Sequence, residues 1–313
     1  MSWVGWRLSL LFLTAATPAQ AWSTQGHMAT GLIAFELLAQ RELAAIEAID
    51  ALMQNHPDRA RFDSVLTGLN GSDRQRRLFE LIARWPDDIR HTRYDHKHWH
   101  HELRVVVGWR VFGGVRLGKA DYAFKRGLAL LRNPKADPAQ RAIALCWLFH
   151  VAGDMHQPLH AGHRMDAHFP LTDRAGTIGW VLRAPDAAPE TLHHFWDSAA
   201  DLPGNDWTAA DRIAAIVRTR PPREQESTGD PLVAYRQWVR ESEQLAASLV
   251  YRSPGFDESR HSATAPTLAP NYVTNARMVA EQRLGQAGAR LADVLADLFA
   301  AQSQQSSSAT AGN

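Results

Sequence analysis

One cysteine, Cys146, stands among 313 residues. That excludes an intramolecular disulfide framework and a cysteine-built zinc finger, so any metal held by this chain takes its ligands from His, Asp and Glu. Excess charge of either sign is also lacking: 34 Lys plus Arg face 33 Asp plus Glu, a formal net charge of +1. Nucleic acid is therefore not held by bulk positive charge. No internal repeat is present, and a chain 45% hydrophobic and 21% charged is neither disordered nor a coiled coil. Strand signals are few. No apolar run reaches the roughly 20 residues needed to cross a bilayer.

Histidine is plentiful and unevenly placed. There are 15, and 12 of them lie between His91 and His194, where even spacing would put about five. Clustered imidazoles can mean metal chemistry, a pH-sensing surface or chance, and the detailed spacing has to decide among them.

Residues 1–21, MSWVGWRLSLLFLTAATPAQA, read as an export signal: Arg7 precedes the apolar run Leu8–Ala16, and Ala19-Gln20-Ala21 is a small-x-small cleavage site. The expected mature protein is periplasmic or secreted and begins at Trp22. Its free α-amino group, with a pKa near 7.7–8.0, is within reach of deprotonation by a metal at neutral pH.

The rest reads as one mainly α-helical domain over residues 22–300, followed by a disordered, low-complexity tail over 301–313. Apolar spacing predicts helices over His27–Met53, Leu78–Arg84 (ended by Trp85-Pro86), Asp121–Arg132, Gln140–Met155, Leu192–Ala200, Asp211–Arg218, Leu232–Val250 and Tyr272–Ala300. Arg104–Trp109 and Ile178–Leu182 are the strand candidates. Loops rich in Pro, Gly, Ser or Asp are expected at Thr67–Asp73, Ala184–Glu190, Thr219–Pro231 and Ser253–Pro270.

Two His-x-x-x-Asp pairs stand out, His150/Asp154 and His193/Asp197. Residues four apart share a helix face, so each pair projects an imidazole and a carboxylate together, a half-site suited to zinc. Either pair alone reads first as a helical His–Asp hydrogen bond; both in one chain, beside the other clusters, suggest a polynuclear site. Pro158 breaks the first helix, and His160 follows from the next turn. Trp85-Pro86-Asp87-Asp88-Ile89-Arg90 puts two carboxylates and a guanidinium at a helix end, and Tyr94–His101 holds four imidazoles within six residues, His96 to His101. Alone, these would be a polar helix terminus and a solvated loop.

These segments together resemble the S1/P1 nuclease family, within the wider zinc-dependent phospholipase C group. The resemblance rests on Trp22 with Gly26-His27, on Trp85-x-Asp87-x-x-Arg90, on Trp99-His100, on His150-x-x-Gly-Asp154-x-x-Gln-Pro-Leu-His160 and on Leu192-His193-x-x-Trp-Asp197, in order along nearly the whole mature chain. Trp238-Val-Arg-Glu241-Ser242 and Ala287-Gly288-Ala-Arg290-Leu291-Ala292 resemble its C-terminal helices. It implies a compact helical bundle of the phospholipase C/P1 nuclease type holding three Zn2+. Asp87, His100, His150 and Asp154 would hold the first zinc. His160, His193 and Asp197 would hold the second. The amino nitrogen and carbonyl oxygen of Trp22, with His27, would hold the third, and Asp154 would bridge first and third. The implied reaction is hydrolysis of single-stranded DNA or RNA to 5′-nucleotides by a metal-activated hydroxide. Asp87 and Asp154 serve as catalytic metal-holding carboxylates, and Arg90 neutralises charge on the phosphoryl oxygens. No stable protein partner is implied.

The chain departs from the family at three places. His101 stands where an aromatic is usual, Leu103 replaces Asp or Asn, and the Asp-Arg-Gly-Gly-Asn element reads Asp173-Arg174-Ala175-Gly176-Thr177. A shifted alignment would use His98 in place of His100. The alternatives are a phospholipase C-like hydrolase of phosphoester head groups and a zinc-binding relative whose catalysis has weakened. His156, His163, His168 and His194 lie off the ligand pattern.

Overall fold

The computed structural model describes residues 22–107, 110–112, 114, 116–219, 229–254 and 256–310, with side chains to Phe299. The expected export signal, residues 1–21, and most of the expected loop Thr219–Pro231 lie outside the described residues. Ten α-helices carry the fold among those residues: α1 Thr24–Arg41, α2 Leu43–Met53, α3 Arg59–Leu66, α4 Gly71–Asp88, α5 Ala120–Arg132, α6 Pro138–Asp154, α7 Leu192–Asp197, α8 Asp206–Arg218, α9 Pro231–Leu245 and α10 Pro270–Thr310. The strands are short: β1 Glu102–Val107, β2 Arg110–Val111, β3 Leu117–Gly118, β4 Gly162–Arg164, β5 Trp180–Val181 and β6 Glu190–Thr191.

Helix α1 is the central element. Its start is fixed by Ser23, whose hydroxyl accepts from the Gly26 N–H at 3.2 Å. Ala34, Phe35 and Leu38 join one cluster of buried apolar side chains, with α2, α4, α5 and α6. Met28, Ala29, Leu32 and Ile33 join a second, with α7, α8 and the first half of α10. Two glycines let neighbours come this close. A Cβ on Gly31 would stand 2.4 Å from the Phe79 carbonyl oxygen of α4, and one on Gly288 of α10 would stand 2.5 Å from the Ile33 Cβ. With both sides buried, α1 shows no clear polar stripe.

Element boundaries differ from the periodicity at several points. The single helix expected from His27 to Met53 is divided at Glu42, which takes an extended φ of −151° while its N–H still reaches the Leu38 carbonyl at 2.7 Å. Helix α4 does not stop before Trp85-Pro86; it runs to Asp88. Pro86 lies in its last turn and removes one helical N–H donor, a cost that burial of Trp85 and Pro86 offsets. The same helix starts at Gly71, inside the loop expected at Thr67–Asp73. Helix α3 was not expected, because only Phe62 and Leu66 are buried on it. The helix expected to end at Val250 does so, with Ala246–Val250 in π geometry. Helix α10 extends to Thr310, into the segment read as a disordered tail. Adding a residue to an existing helix needs no new nucleus, and neither Pro nor Gly interrupts that segment before Gly312.

The largest sheet serves the site. Strand β1 pairs antiparallel with β2 and β3 and parallel with β4, in the register Arg104↔Gly162, Val105↔His163 and Val106↔Arg164. The Arg104 N–H donates to the Ala161 carbonyl at 2.8 Å. The histidine-rich loop that leads into β1 is thereby laid beside the turn that follows α6.

Candidate metal centre

Three backbone devices converge on one point. Helix α6 ends at Asp154, so His150 and Asp154 share its inward face. Gln157 then caps a short 3-10 turn, Pro158–His160, and delivers His160. Helix α7 presents His193 and Asp197 from the opposite side, while α1 contributes His27 and the end of α4 contributes Asp87. Parallel pairing of β1 with β4 brings His100 alongside, and its carbonyl accepts from His160 Nδ1 at 2.5 Å.

The polar atoms fall into overlapping groups. His100 Nδ1 and His150 Nε2 are 2.8 Å apart, at 3.4 Å and 3.3 Å from Asp154 Oδ2. The other oxygen of Asp154 is turned to His27 Nε2, at 3.3 Å. Asp87 divides in the same way: Oδ1 lies 3.9 Å from His100 and 3.8 Å from His150, and Oδ2 lies 3.9 Å from His27. The second cluster has His160 Nε2 and His193 Nε2 3.2 Å apart, with Asp197 oxygens at 4.0 Å and 3.6 Å. Three triads with all ligand atoms within 4.8 Å of one another result: His27/Asp87/His150, His100/His150/Asp154 and His160/His193/Asp197.

The residues fit a cluster of cations. His150 donates its Nδ1–H to the Ala83 carbonyl at 2.9 Å, and His193 donates its own to Ala175 at 2.7 Å; His160 donates to His100. Each neutral imidazole therefore points a bare Nε2 inward, and outer hydrogen bonds of this kind orient metal ligands. In the second cluster two such lone pairs face each other at 3.2 Å, an arrangement that repels unless a cation lies between. Both oxygens of Asp154, Oδ2 of Asp197 and both ring nitrogens of His27 are buried without a hydrogen-bond partner. The donors are all nitrogen or oxygen, as zinc accepts.

Electrostatics say the same. Burial, reinforced by Asp87, pushes the Asp154 carboxyl far above the ordinary range, and burial does the same to Asp197 despite the Gln157 hydrogen bond. Burial also drives His27, His100 and His160 well below 6.5. Without added positive charge these groups prefer to be neutral, and a bound cation reverses that preference.

The remaining residues singled out in the sequence are placed as follows. Trp22 is fully buried; its indole N–H donates to the Gly153 carbonyl at 2.9 Å, and the next residue, Ser23, donates its N–H to the Asp197 carbonyl at 2.9 Å. The segment is thus pinned between the two elements that carry Asp154 and Asp197. Arg90 donates to Asp87 Oδ1 at 2.5 Å, whereas Asp88 turns away to Arg84 at 2.9 Å. His98 is exposed, while His100 is buried in the cluster. Both line a cleft of about 620 Å³ that opens over the centre, together with Arg90, His101, Leu103 and Thr177. His156 is buried but turned away, bonded to the Ala152 carbonyl and to Arg290; His163 bonds Thr172, and His168 and His194 are exposed.

Three supporting residues escaped the sequence reading. Gln157 donates from Nε2 to Asp197 Oδ1 at 2.6 Å. Asp173 accepts from the N–H groups of Arg164 and Ala175 and from the Tyr251 hydroxyl. It fixes a turn in which Arg174, Ala175 and Gly176 all have positive φ, and that turn aims the Ala175 carbonyl at His193. Glu241 ties Arg283 and Arg290 together beneath the loop after Asp154, where Arg283 donates to the His156 carbonyl at 3.1 Å. Gln157, Asp173 and Glu241 all lie in motifs quoted above, yet polarity alone gave them no role.

A mainly helical fold with a buried histidine–aspartate centre at the floor of a cleft defines a phospholipase C/P1 nuclease type of protein. The family described as S1/P1 Nuclease matches residues 22–300, and the chain belongs to it. Among curated relatives from Arabidopsis thaliana, Endonuclease 1 is 24% identical over 204 residues, 61% of this chain and 57% of the relative. Endonuclease 4 is 26% identical over 189 residues, 53% of each chain. Endonuclease 5 is 25% identical over 163 residues, 50% of this chain and 51% of the relative. The chain spans about half the length of the curated relatives it matches.

Proposed function

We propose that this protein is an exported, zinc-dependent phosphodiesterase that hydrolyses single-stranded DNA or RNA to 5′-nucleotides. The observation that carries the reading is the set of inward-facing, unpartnered nitrogen and oxygen atoms of His27, Asp154 and Asp197, beside His100, His150, His160 and His193, at the floor of a cleft that also carries Arg90. Asp87, His100, His150 and Asp154 would hold one Zn2+, His160, His193 and Asp197 a second, and His27 with the amine and carbonyl of Trp22 a third. Bound zinc supplies Lewis acidity and a supply of hydroxide near neutral pH. Asp154, with one oxygen toward each of two groups, sets their spacing. Arg90, restrained by Asp87, presents its guanidinium to the phosphoryl oxygens as charge builds up on them. Leu103 and Thr177 give the cleft wall less hydrogen-bonding capacity than the family's Asp or Asn would, so phosphate contacts rather than base contacts dominate.

The test is hydrolysis of single-stranded DNA by protein that begins at Trp22, with zinc and with a chelator. Chelator-sensitive release of 5′-nucleotides is expected, and an added residue before Trp22 is expected to lower zinc content. A folded, zinc-loaded protein that leaves both single-stranded DNA and single-stranded RNA intact would refute the nuclease reading. Hydrolysis of phosphatidylcholine by that sample would favour a phospholipid head group as substrate.

A further inference from the structure

A second cavity, of about 730 Å³, lies behind the metal centre. Trp147 is the wall between them: its ring is 5.1 Å from that of His100 and 5.0 Å from that of Trp99, which lines the second cavity. The loop after α4 divides its side chains between the two spaces. Arg90, Lys97 and His98 line the cleft, whereas Arg93, Tyr94 and Trp99 line the cavity. Tyr122 and Arg126, on α5, form its opposite side.

The lining is aromatic and cationic, and no carboxylate contributes to it. The Arg93 guanidinium lies 4.8 Å from the centre of the Tyr94 ring and donates to its hydroxyl at 2.6 Å. Among the described residues neither Arg93 nor Arg126 forms an ion pair with an acid. Trp99 meets Trp147 and Tyr122 edge to face, at 5.0 Å and 5.8 Å. Trp147 is 1% exposed, and its indole N–H is buried without an acceptor. A ligand that matches this wall is a flat ring with acceptor atoms, joined to an anion.

We propose that the cavity is a second nucleotide site, which stacks one unpaired base of a strand whose neighbouring phosphates pass over the loop from the cleft. The proposal rests on the nuclease reading above and extends its substrate contact beyond the metal centre. Stacking on aromatic rings tolerates any base, and arginines hold the backbone beside it. A base still paired in a duplex cannot leave its stack to enter without cost, so the cavity selects single strands.

The test uses zinc-loaded protein beginning at Trp22 and a short single-stranded oligonucleotide carrying 5-iodouracil. Irradiation should attach the strand to a peptide containing Tyr94, Trp99 or Tyr122. The half-exposed positions allow Arg126→Glu and Tyr122→Ala without loss of fold. Each is expected to raise KM for the oligonucleotide about tenfold and to leave hydrolysis of a dinucleotide unchanged. Crosslinks confined to the cleft, with KM unaltered in both variants, overturn the proposal while the nuclease reading stands. A wild-type protein that cleaves neither substrate refutes the nuclease reading, and the crosslink map then decides the cavity by itself.

Discussion

Replacing Gln157 separates the residues proposed to touch metal from the one that aims them. Its side chain is fully buried, donates to Asp197 Oδ1 at 2.6 Å and accepts from the Leu159 N–H at 2.5 Å. Asp197 Oδ2 then faces His193 Nε2 at 3.6 Å. Without the amide, the carboxylate is free to rotate, and its outer oxygen is buried with no donor. A hydrogen bond to a charged group is worth about 1.5–3 kcal/mol net. At about 1.4 kcal/mol per decade, that is a roughly 10- to 100-fold loss of affinity. The loss should fall on the group formed by His160, His193 and Asp197 and spare the group formed by Asp87, His100, His150 and Asp154. Competition with a chromophoric chelator resolves the two classes. Gln157→Leu conserves volume, so an equal loss in Gln157→Ala and Gln157→Leu identifies the hydrogen bond rather than packing as the cause. Zinc affinity equal to wild type in both folded variants would show that Asp197 is held by other means.

Three further outcomes are expected. Arg90→Ala should lower kcat about 10²- to 10³-fold at unchanged zinc content, read by nuclease assay and metal analysis; a change in KM alone would assign Arg90 to binding. Burial raises the Glu241 carboxyl, but hydrogen bonds from Arg290 and Arg283 outweigh it and hold the group at about 2 against an ordinary 4.5. A depressed carboxylate stabilises the fold above its unfolded pKa, and that stability is lost as pH falls through the folded value. Glu241→Gln should therefore cost about 1–2 kcal/mol at pH 7 once solvent screening of this half-buried group is allowed for, shrinking below pH 4.5 towards pH 2, measured by urea unfolding across that range; a pH-independent difference would refute the linkage. Ala175 has φ +58°, in the left-handed region. Ala175 is also buried, so in Ala175→Gly the relief of about 1–2 kcal/mol is offset by the glycine entropy and by about 0.8 kcal/mol for the lost methyl; Tm should stay near wild type, and a fall of the size a buried Ala→Gly change brings at an unstrained position would refute the assignment of strain there.

The parts of the site legible in the sequence are those set by local geometry. His150/Asp154 and His193/Asp197 announce themselves because four residues make about one helical turn, and α6 and α7 are helices where the pattern says so. Helices with one buried face, such as α5 and α8, were legible for the same reason. The passage of α4 through Pro86 was not, because burial of Trp85 and Pro86 overrode local preference; nor was the division of the first helix at Glu42, where no Pro or Gly marks the break.

The arrangement of the ligands is less local still. No spacing rule relates His100 to His160; parallel pairing of β1 with β4 does. Once that pairing exists, the His100 carbonyl becomes the acceptor that fixes the His160 ring, so one candidate ligand's backbone orients another candidate's side chain. Gln157 and Asp173 work in the same way: a glutamine amide and an aspartate are ordinary until the chain folds an Asp197 oxygen or a left-handed turn against them. The identity of a metal ligand follows from its own chemistry and is written in residue type, whereas its aim follows from partners supplied by distant segments. The chain's departures at His101, Leu103 and Thr177 sit outside both levels. His101, Leu103 and Thr177 line the cleft while every imidazole and carboxylate of the two clusters keeps its place. Change at these positions therefore alters what the cleft accepts without altering how the metal centre is built.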